Sequence, residues 1–175
     1  MDHIAIMKKS WGLIPKILTG EKTVESRWYQ TRRAPWDAVQ KGDRIFFKNA
    51  GEKITACARV SRVLQFEIKI MQDADRIIAR YGKSICLAQL AVGGVKPAKG
   101  ARYSSDKVNP NVLVWGRTPK YCILVFLQDT KRVFKPFSIN KKGHGAMAAW
   151  ITIKNIQDII LRPPYDPLPL RHPVS

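Results

Sequence analysis

The stretch 20–27 constrains the fold more than any other part of the sequence. It places Lys22, Glu25 and Arg27 within six residues, directly after Gly20. Glycine is often found just past the end of a helix, where the backbone is left-handed. A strand-like apolar run and a short helix-like run precede this glycine. The pattern therefore predicts a strand, a short helix that ends at Gly20, and a second strand carrying three charged side chains.

The two elements before Gly20 can be outlined from their periodicity. Residues 3–8 are mostly apolar and predict the first strand, and residues 11–18 show the spacing of a short amphipathic helix. Ser10 is the candidate N-cap of this helix. Pro15 is compatible with it only if the proline lies in the first turn, where no backbone hydrogen bond is lost.

Strand alternation sorts the side chains of residues 22–29 onto two faces. One face holds Thr23, Glu25 and Arg27, and the other holds Val24, Ser26 and Trp28. Lys22 belongs by parity to the second face. It can join Glu25 and Arg27 only if the chain is still turning at Glu21 and Lys22, or if a bulge intervenes.

The rest of the chain reads as one domain over residues 1–161, followed by a proline-rich tail over 162–175 that favours an extended arm. Within the domain we expect strands at 44–49 and 53–65 with a turn between them, a helix at 67–81 ended by Gly82, a basic insertion at 93–111, strands at 112–115 and 121–127, and a closing strand or helix at 150–161.

Charge is the strongest signal in the composition. Thirty-one Lys and Arg residues against thirteen Asp and Glu residues give a net charge of +18, which favours a polyanionic partner such as nucleic acid. No apolar run is long enough to span a membrane. The three cysteines are widely spaced in apolar runs and indicate reduced thiols of a cytoplasmic protein. No metal-ligand spacing is present, so we expect neither a metal nor a cofactor.

The spacing Gly20-x-Lys22-x-x-Glu25-x-Arg27 resembles the signature of the ASCH domain, a branch of the PUA-like superfamily. The resemblance implies an α+β fold: a PUA-like mixed β-barrel of about five to seven strands with flanking short helices. It also implies a cleft between the barrel and its helices that holds Lys22, Glu25, Arg27 and Trp28.

A cleft of this kind suits one nucleobase, so the first hypothesis is binding of RNA or a nucleotide. A carboxylate accepts from an exocyclic amine, a guanidinium donates to a carbonyl or phosphate, and an aromatic ring stacks on the base. Trp28, Tyr29 and Trp36 are the candidate rings. Further basic residues are candidates for a surrounding phosphate track: Arg32, Arg33, Lys41, Lys96, Lys99, Arg102, Lys107, Lys131, Arg132, Lys135, Lys141 and Lys142.

Two alternatives remain open at this stage. The first is a small hydrolase in which Lys22 and Glu25 are catalytic. Resemblance to N4-acylcytidine amidohydrolases of the ASCH family supports it, but Glu25 stands where those enzymes have a threonine. A metal-independent ribonuclease would instead draw on Lys22, Tyr29, Lys48, Lys53 or His144. The second alternative is a basic adaptor that binds a protein through its proline-rich tail. The oligomeric state is not determined by the sequence.

Overall fold

The computed structural model describes residues 1–86, 119–145 and 147–161, and these residues form one curled mixed sheet flanked by helices. The strands are β1 (Asp2–Met7), β2 (Val24–Tyr29), β3 (Arg44–Asn49), β4 (Ile54–Glu67), β5 (Tyr121–Ile139), β6 (Trp150–Ile153) and β7 (Ile160–Leu161). The α-helices are α1 (Leu13–Leu18) and α2 (Met71–Ile85), and short 3-10 turns span Lys9–Trp11 and Ile156–Ile159.

The strand order in space is β2-β5-β4-β3-β1-β6, with β7 added beside the end of β5. β1 and β3 run parallel, in a register that sets Ile6 opposite Lys48, whereas the other pairs are antiparallel. The sheet forms a half-barrel with two α-helices. The sequence prediction of an α+β fold with a mixed sheet of five to seven strands is therefore confirmed.

Curling of the sheet brings its two edges towards each other. Register shifts interrupt the pairing of the long strands β4 and β5 at three places, and such irregularities bend and twist a sheet. β2 is at one end of the strand order, yet Arg27 lies 5.4 Å from the ring of Trp150 on the opposite edge strand. Its guanidinium nitrogens also lie 3.5 Å from the carbonyl oxygen of Ile6 in β1. A cavity forms where the edges converge.

The first turn and helix correct one detail of the sequence prediction. Ser10 lies inside the 3-10 turn, and the N-cap of α1 is Gly12, whose φ of 59° is left-handed. Pro15 lies in the first turn of α1, as its geometry requires. Gly20 follows the helix with φ of 77°, the left-handed conformation predicted there.

The second helix begins and ends later than the sequence pattern predicts. β4 continues to Glu67, and α2 runs from Met71 to Ile85, so Gly82 lies inside the helix and does not end it. The Asp73 carboxylate accepts hydrogen bonds from the backbone N–H groups of Lys69 and Ile70 at 3.1 and 3.2 Å, which fixes the start. Cys86 takes the left-handed position after the helix, a role that sequence reasoning assigned to glycine.

The last part of the sheet is also longer than predicted. β5 does not stop near residue 127 but continues to Ile139, because its basic second half pairs with β4 and then with β7. Residues 150–161, for which strand and helix were both open, form β6, a 3-10 turn and β7. The predicted insertion at 93–111, the strand at 112–115 and the tail at 162–175 lie outside the described residues. None of the described helices is both long and apolar enough for a membrane span.

Candidate functional site

A cavity of about 540 Å³ opens between the converging edges of the sheet. Its size falls within the range of about 300–1,000 Å³ that is usual for small-ligand sites. The wall comes from β2, from the ends of β1 and β3, from the turns that follow them, and from the segment before β6. The lining residues are Ile6, Met7, Lys8, Trp11, Leu13, Lys22, Glu25, Ser26, Arg27, Trp28, Tyr29, Arg33, Lys48, Ala50, Gly51, Lys141, Met147, Ala148 and Ala149.

Lys22 reaches the cavity because the chain is still turning before β2 begins. Its backbone N–H donates to the carbonyl oxygen of Lys16, and the strand starts only at Val24. The ammonium group is 2% exposed and donates to the carbonyl oxygens of Val24 and Ile85 at 2.7 and 2.9 Å. Burial lowers the pKa of Lys22, and the nearby Glu25 carboxylate opposes that shift.

Glu25 connects the two cations of the motif. One carboxylate oxygen, Oε1, lies 3.0 Å from Nη2 of Arg27, and the other, Oε2, lies 3.3 Å from Nζ of Lys22. The side chains of Glu25 and Arg27 are 5% and 10% exposed, so water screens this cluster little. The Arg27 guanidinium is further held over the Trp150 ring. The three charged groups of the motif therefore converge on one wall of the cavity.

Two buried polar atoms of this cluster have no hydrogen-bond partner among the described residues: Glu25 Oε2 and Arg27 Nε. Buried polar groups in folded proteins are almost always hydrogen-bonded, and an unsatisfied one costs about 1–3 kcal/mol. Both atoms belong to side chains that line the cavity. Within the described part of the chain, Glu25 Oε2 has only its ion pair with Lys22, so the cluster carries one acceptor and one donor without a hydrogen bond, a pattern typical of a site completed by a ligand.

The other residues predicted to line the site are divided by the structure. Tyr29 and Arg33 line the cavity, with the Arg33 guanidinium 4.1 Å from the Tyr29 ring centroid. Burial raises the pKa of Tyr29, against the influence of Arg27 and Arg33. Trp28 borders the cavity but is 7% exposed and packs in the apolar cluster beneath α2. Its ring is therefore poorly placed as the stacking surface expected from the sequence.

Arg32 and Trp36 do not line the cavity, contrary to their assignment to the site from the sequence. Arg32 forms an exposed ion pair with Glu67, and its guanidinium also lies over the rings of Trp36 and Tyr121. Trp36 packs edge-on against Tyr121 with ring centroids 5.1 Å apart. Their position close to the motif in the sequence predicted both residues at the site. The loop after β2 instead places them against the Tyr121 ring.

Sequence reasoning missed several residues of the wall. The sequence pattern assigns Lys48 only to a possible ribonuclease and gives Lys8 and Trp11 no role. All three line the cavity because β1 and β3 are parallel neighbours whose carboxyl ends meet at one edge. Lys141 is the one described member of the predicted phosphate track, besides Arg33, that lines it. The catalytic candidates Lys53 and His144 do not.

Residues 1–86, 119–145 and 147–161 do not meet the requirements of a metal-binding site. No cluster of three or more His, Cys, Asp or Glu side chains in these ranges could hold an ion. Among the described lining residues the only acid is Glu25, which is already ion-paired to two cations.

Comparison with known proteins bears on the fold. The sequence matches no protein-family model and no curated protein. The structure resembles a crystal structure of a mutant ASCH protein from Zymomonas mobilis, with a TM-score of 0.50 and 16% identity, over 90% of this chain and 93% of that one. The ASCH structure from the same organism gives a TM-score of 0.44 at 17% identity, over 78% of this chain and 70% of that one. The chain thus has an ASCH-like α+β fold.

Proposed function

We propose that this protein binds RNA, or a nucleotide derived from it, by holding one base in the cavity between the sheet edges. The observation that carries the proposal is the pair of buried polar atoms without a hydrogen bond, Glu25 Oε2 and Arg27 Nε, on two side chains that line the cavity. A base edge presents an amine or imino donor beside a ring nitrogen or carbonyl acceptor. An acceptor and a donor on side chains two residues apart along β2 offer the complement of that pattern.

Apolar and aromatic surface around the polar pair also suits a base. The half-buried Trp11 and the Tyr29 ring line the same cavity, together with aliphatic side chains such as Met7 and Leu13. Aromatic stacking on a base is worth about 1–3 kcal/mol and tolerates any base. Trp11 thus takes the role that sequence reasoning gave to Trp28. The net charge of +18 draws polyanions towards the protein.

The hydrolase alternative is less well supported by the geometry of Lys22. A lysine that acts as a base or nucleophile needs a free amine directed at the substrate. Here the Lys22 ammonium donates to two main-chain carbonyls and forms an ion pair with Glu25 at 3.3 Å, so the surrounding protein already holds it. Its lowered pKa is the one feature that favours catalysis. We infer that Lys22 holds the Glu25 carboxylate in place and leaves binding to Glu25 and Arg27.

The test measures binding of single-stranded RNA oligonucleotides, nucleosides and nucleoside monophosphates by calorimetry. Arg27→Gln removes the guanidinium at the cavity, and Arg59→Gln removes an exposed one from β4 as a control of equal charge change. We expect Arg27→Gln to weaken binding by about tenfold or more, the loss of one charge-assisted hydrogen bond. Trp11→Leu should weaken it through lost stacking, and Arg59→Gln should change it little.

Equal losses of affinity in the Arg27 and Arg59 variants would overturn the proposal, because binding would then depend on surface charge alone. The same samples are analysed for RNA cleavage and for release of acyl groups from acylated cytidine. Turnover that disappears in Lys22→Met while the variant stays folded would favour the hydrolase instead.

A further inference from the structure

Lys48 is a mostly buried lysine without a counterion among the described residues. Its side chain lies near the end of β3, is 8% exposed, and makes no hydrogen bond or ion pair with any described residue. Lysine is almost never buried unless it is paired, because removing an ammonium group from water is costly. The Lys48 ammonium is therefore partly desolvated and unpaired, which favours an anion in the cavity, and a methionine there would fill similar space without the charge.

The surroundings of Lys48 add to the positive charge. Lys141 lines the same cavity, and burial together with the Lys141 charge lowers the pKa of Lys48. Lys8, directly after β1, is a third lysine of this wall. The acid closest in sequence, Glu52, is engaged by Lys9 at 2.7 Å and by the Asn49 amide at 2.7 Å.

Glu25, the acid among the described lining residues, does not pair with Lys48. Glu25 lies between Lys22 and Arg27 at 3.3 and 3.0 Å, so its charge is shared by two other cations. One region of the cavity therefore offers a polar edge of mixed donor and acceptor character, at Glu25 and Arg27. Another region of the wall holds Lys48, together with Lys8 and Lys141. A ligand with an uncharged hydrogen-bonding ring and an attached anion would match both.

We propose that Lys48, with Lys8 and Lys141, forms an anion subsite of the cavity that takes a phosphate group, so that the ligand is a phosphorylated nucleotide and not a free base or nucleoside. This inference rests on the proposed function, which it makes more specific. The phosphate belongs either to a free mononucleotide or to the backbone of an RNA strand. A phosphate oxygen supplies the counterion that the Lys48 ammonium lacks, in a charge-assisted hydrogen bond.

The experiment compares Lys48→Met with Lys53→Met, a matched variant in the exposed turn between β3 and β4 that changes the net charge equally. Binding of the four nucleosides, their 5′- and 3′-monophosphates, inorganic phosphate and a short single-stranded RNA is measured for each protein. In the wild type, the side-chain NMR resonance of Lys48 is titrated with pH, with and without inorganic phosphate. Thermal unfolding of both variants is recorded without ligand.

We expect Lys48→Met to weaken binding of a monophosphate by about tenfold or more, as for loss of a charge-assisted hydrogen bond, and to leave nucleoside binding unchanged. Lys53→Met should change neither.

The unfolding temperature of Lys48→Met should equal or exceed that of the wild type, because a partly buried, unpaired charge is removed. A merely structural lysine would give the opposite sign. Inorganic phosphate should raise the pKa of Lys48. The source of the phosphate follows from which ligand loses affinity in Lys48→Met: the mononucleotides, the RNA strand, or both.

Failure of this inference differs from failure of the proposed function. If nucleosides and monophosphates bind equally and Lys48→Met changes neither, the anion subsite is refuted while base binding stands. If inorganic phosphate raises the pKa of Lys48 but the protein binds no nucleoside or nucleotide more tightly than inorganic phosphate, the anion subsite stands and the proposed function is refuted. A less stable Lys48→Met with unchanged phosphate affinity would also refute the subsite.

Discussion

Removal of the Glu25 carboxylate tests whether one anion holds the charged wall of the cavity together. Glu25 lies 3.3 Å from the Lys22 ammonium and 3.0 Å from the Arg27 guanidinium, and all three side chains are at least nine-tenths buried. Glu25→Gln keeps the size and shape of the side chain but leaves two neighbouring cations without a counterion. Lys22→Met removes one of those cations.

The size of the effect follows from these distances. At 3.3 Å and an effective dielectric constant of about 20, the attraction of two unit charges is about 5 kcal/mol. Breaking a buried pair by removing one partner typically costs about 3–5 kcal/mol, because the other charge stays buried. We expect Glu25→Gln to lower the free energy of unfolding by that amount. Lys22→Met leaves the carbonyl oxygens of Val24 and Ile85 without their ammonium donor and should cost about 2–4 kcal/mol.

The double variant separates this coupling from simple loss of contacts. Lys22→Met with Glu25→Gln removes both members of the pair, so it should be destabilised less than the sum of the single variants, by about 2 kcal/mol or more. Urea unfolding followed by tryptophan fluorescence gives the four free energies of the cycle. The exposed pair Lys16 and Glu21 is the control, since a surface ion pair contributes at most about 1 kcal/mol.

The pH dependence of the Glu25→Gln variant gives an independent check. Burial holds the pKa of Lys22 below its ordinary value of 10.5 in the folded chain. Between the lowered pKa and 10.5 the unfolded chain binds more protons, so stability rises with pH across that interval. Without Glu25 the interval extends to lower pH, so the penalty of Glu25→Gln should shrink as the pH rises towards 10.5. Additive losses in the cycle, with a penalty that does not depend on pH, would refute the reasoning.

Three further perturbations have defined outcomes. Burial lowers the pKa of His3 below 6.5, against its hydrogen bond to Asp43, so protonation of the unfolded chain erodes stability as pH falls through that value. In urea unfolding, His3→Gln should reduce the loss of unfolding free energy between about pH 7 and about pH 5. An unchanged dependence of that free energy on pH would contradict this. Gly20→Ala should lower the free energy of unfolding by about 1 kcal/mol through the left-handed φ of 77° alone, since a Cβ there meets no atom within 4 Å. Gly20→Asn should lower it less, because asparagine tolerates this conformation better than alanine. Equal losses of stability in the two variants would argue against a backbone cause. Lys48→Met should reduce the log–log salt dependence of single-stranded RNA binding by about 0.7, and an identical slope would exclude a phosphate contact.

Local patterns in the sequence predicted most of the motif. Strand parity left the place of Lys22 open, and its ammonium joins the other two charges while donating to the distant Ile85 carbonyl oxygen. A left-handed glycine and strand alternation from Val24 place Glu25 and Arg27 together, because each step depends only on neighbouring residues. The first two strands after the motif were predicted to within two residues for the same reason. Where local signals were ambiguous, prediction was wrong. Glycine is tolerated in a helix at about 1 kcal/mol, so α2 continues through Gly82 once its apolar face is packed.

The composition of the cavity wall was decided by tertiary structure. Lys48 and Lys8 line one cavity because parallel pairing of β1 with β3 brings distant chain segments to one edge, and no local spacing encodes that pairing. Lys141, which follows β5, lines the same cavity. Arg27 reaches Trp150 for a similar reason, since the sheet must curl before its two edges approach. The sequence by itself determined which charges lie side by side on one strand. Only the curled sheet determined which other charges face them, because that depends on contacts between residues far apart in the chain.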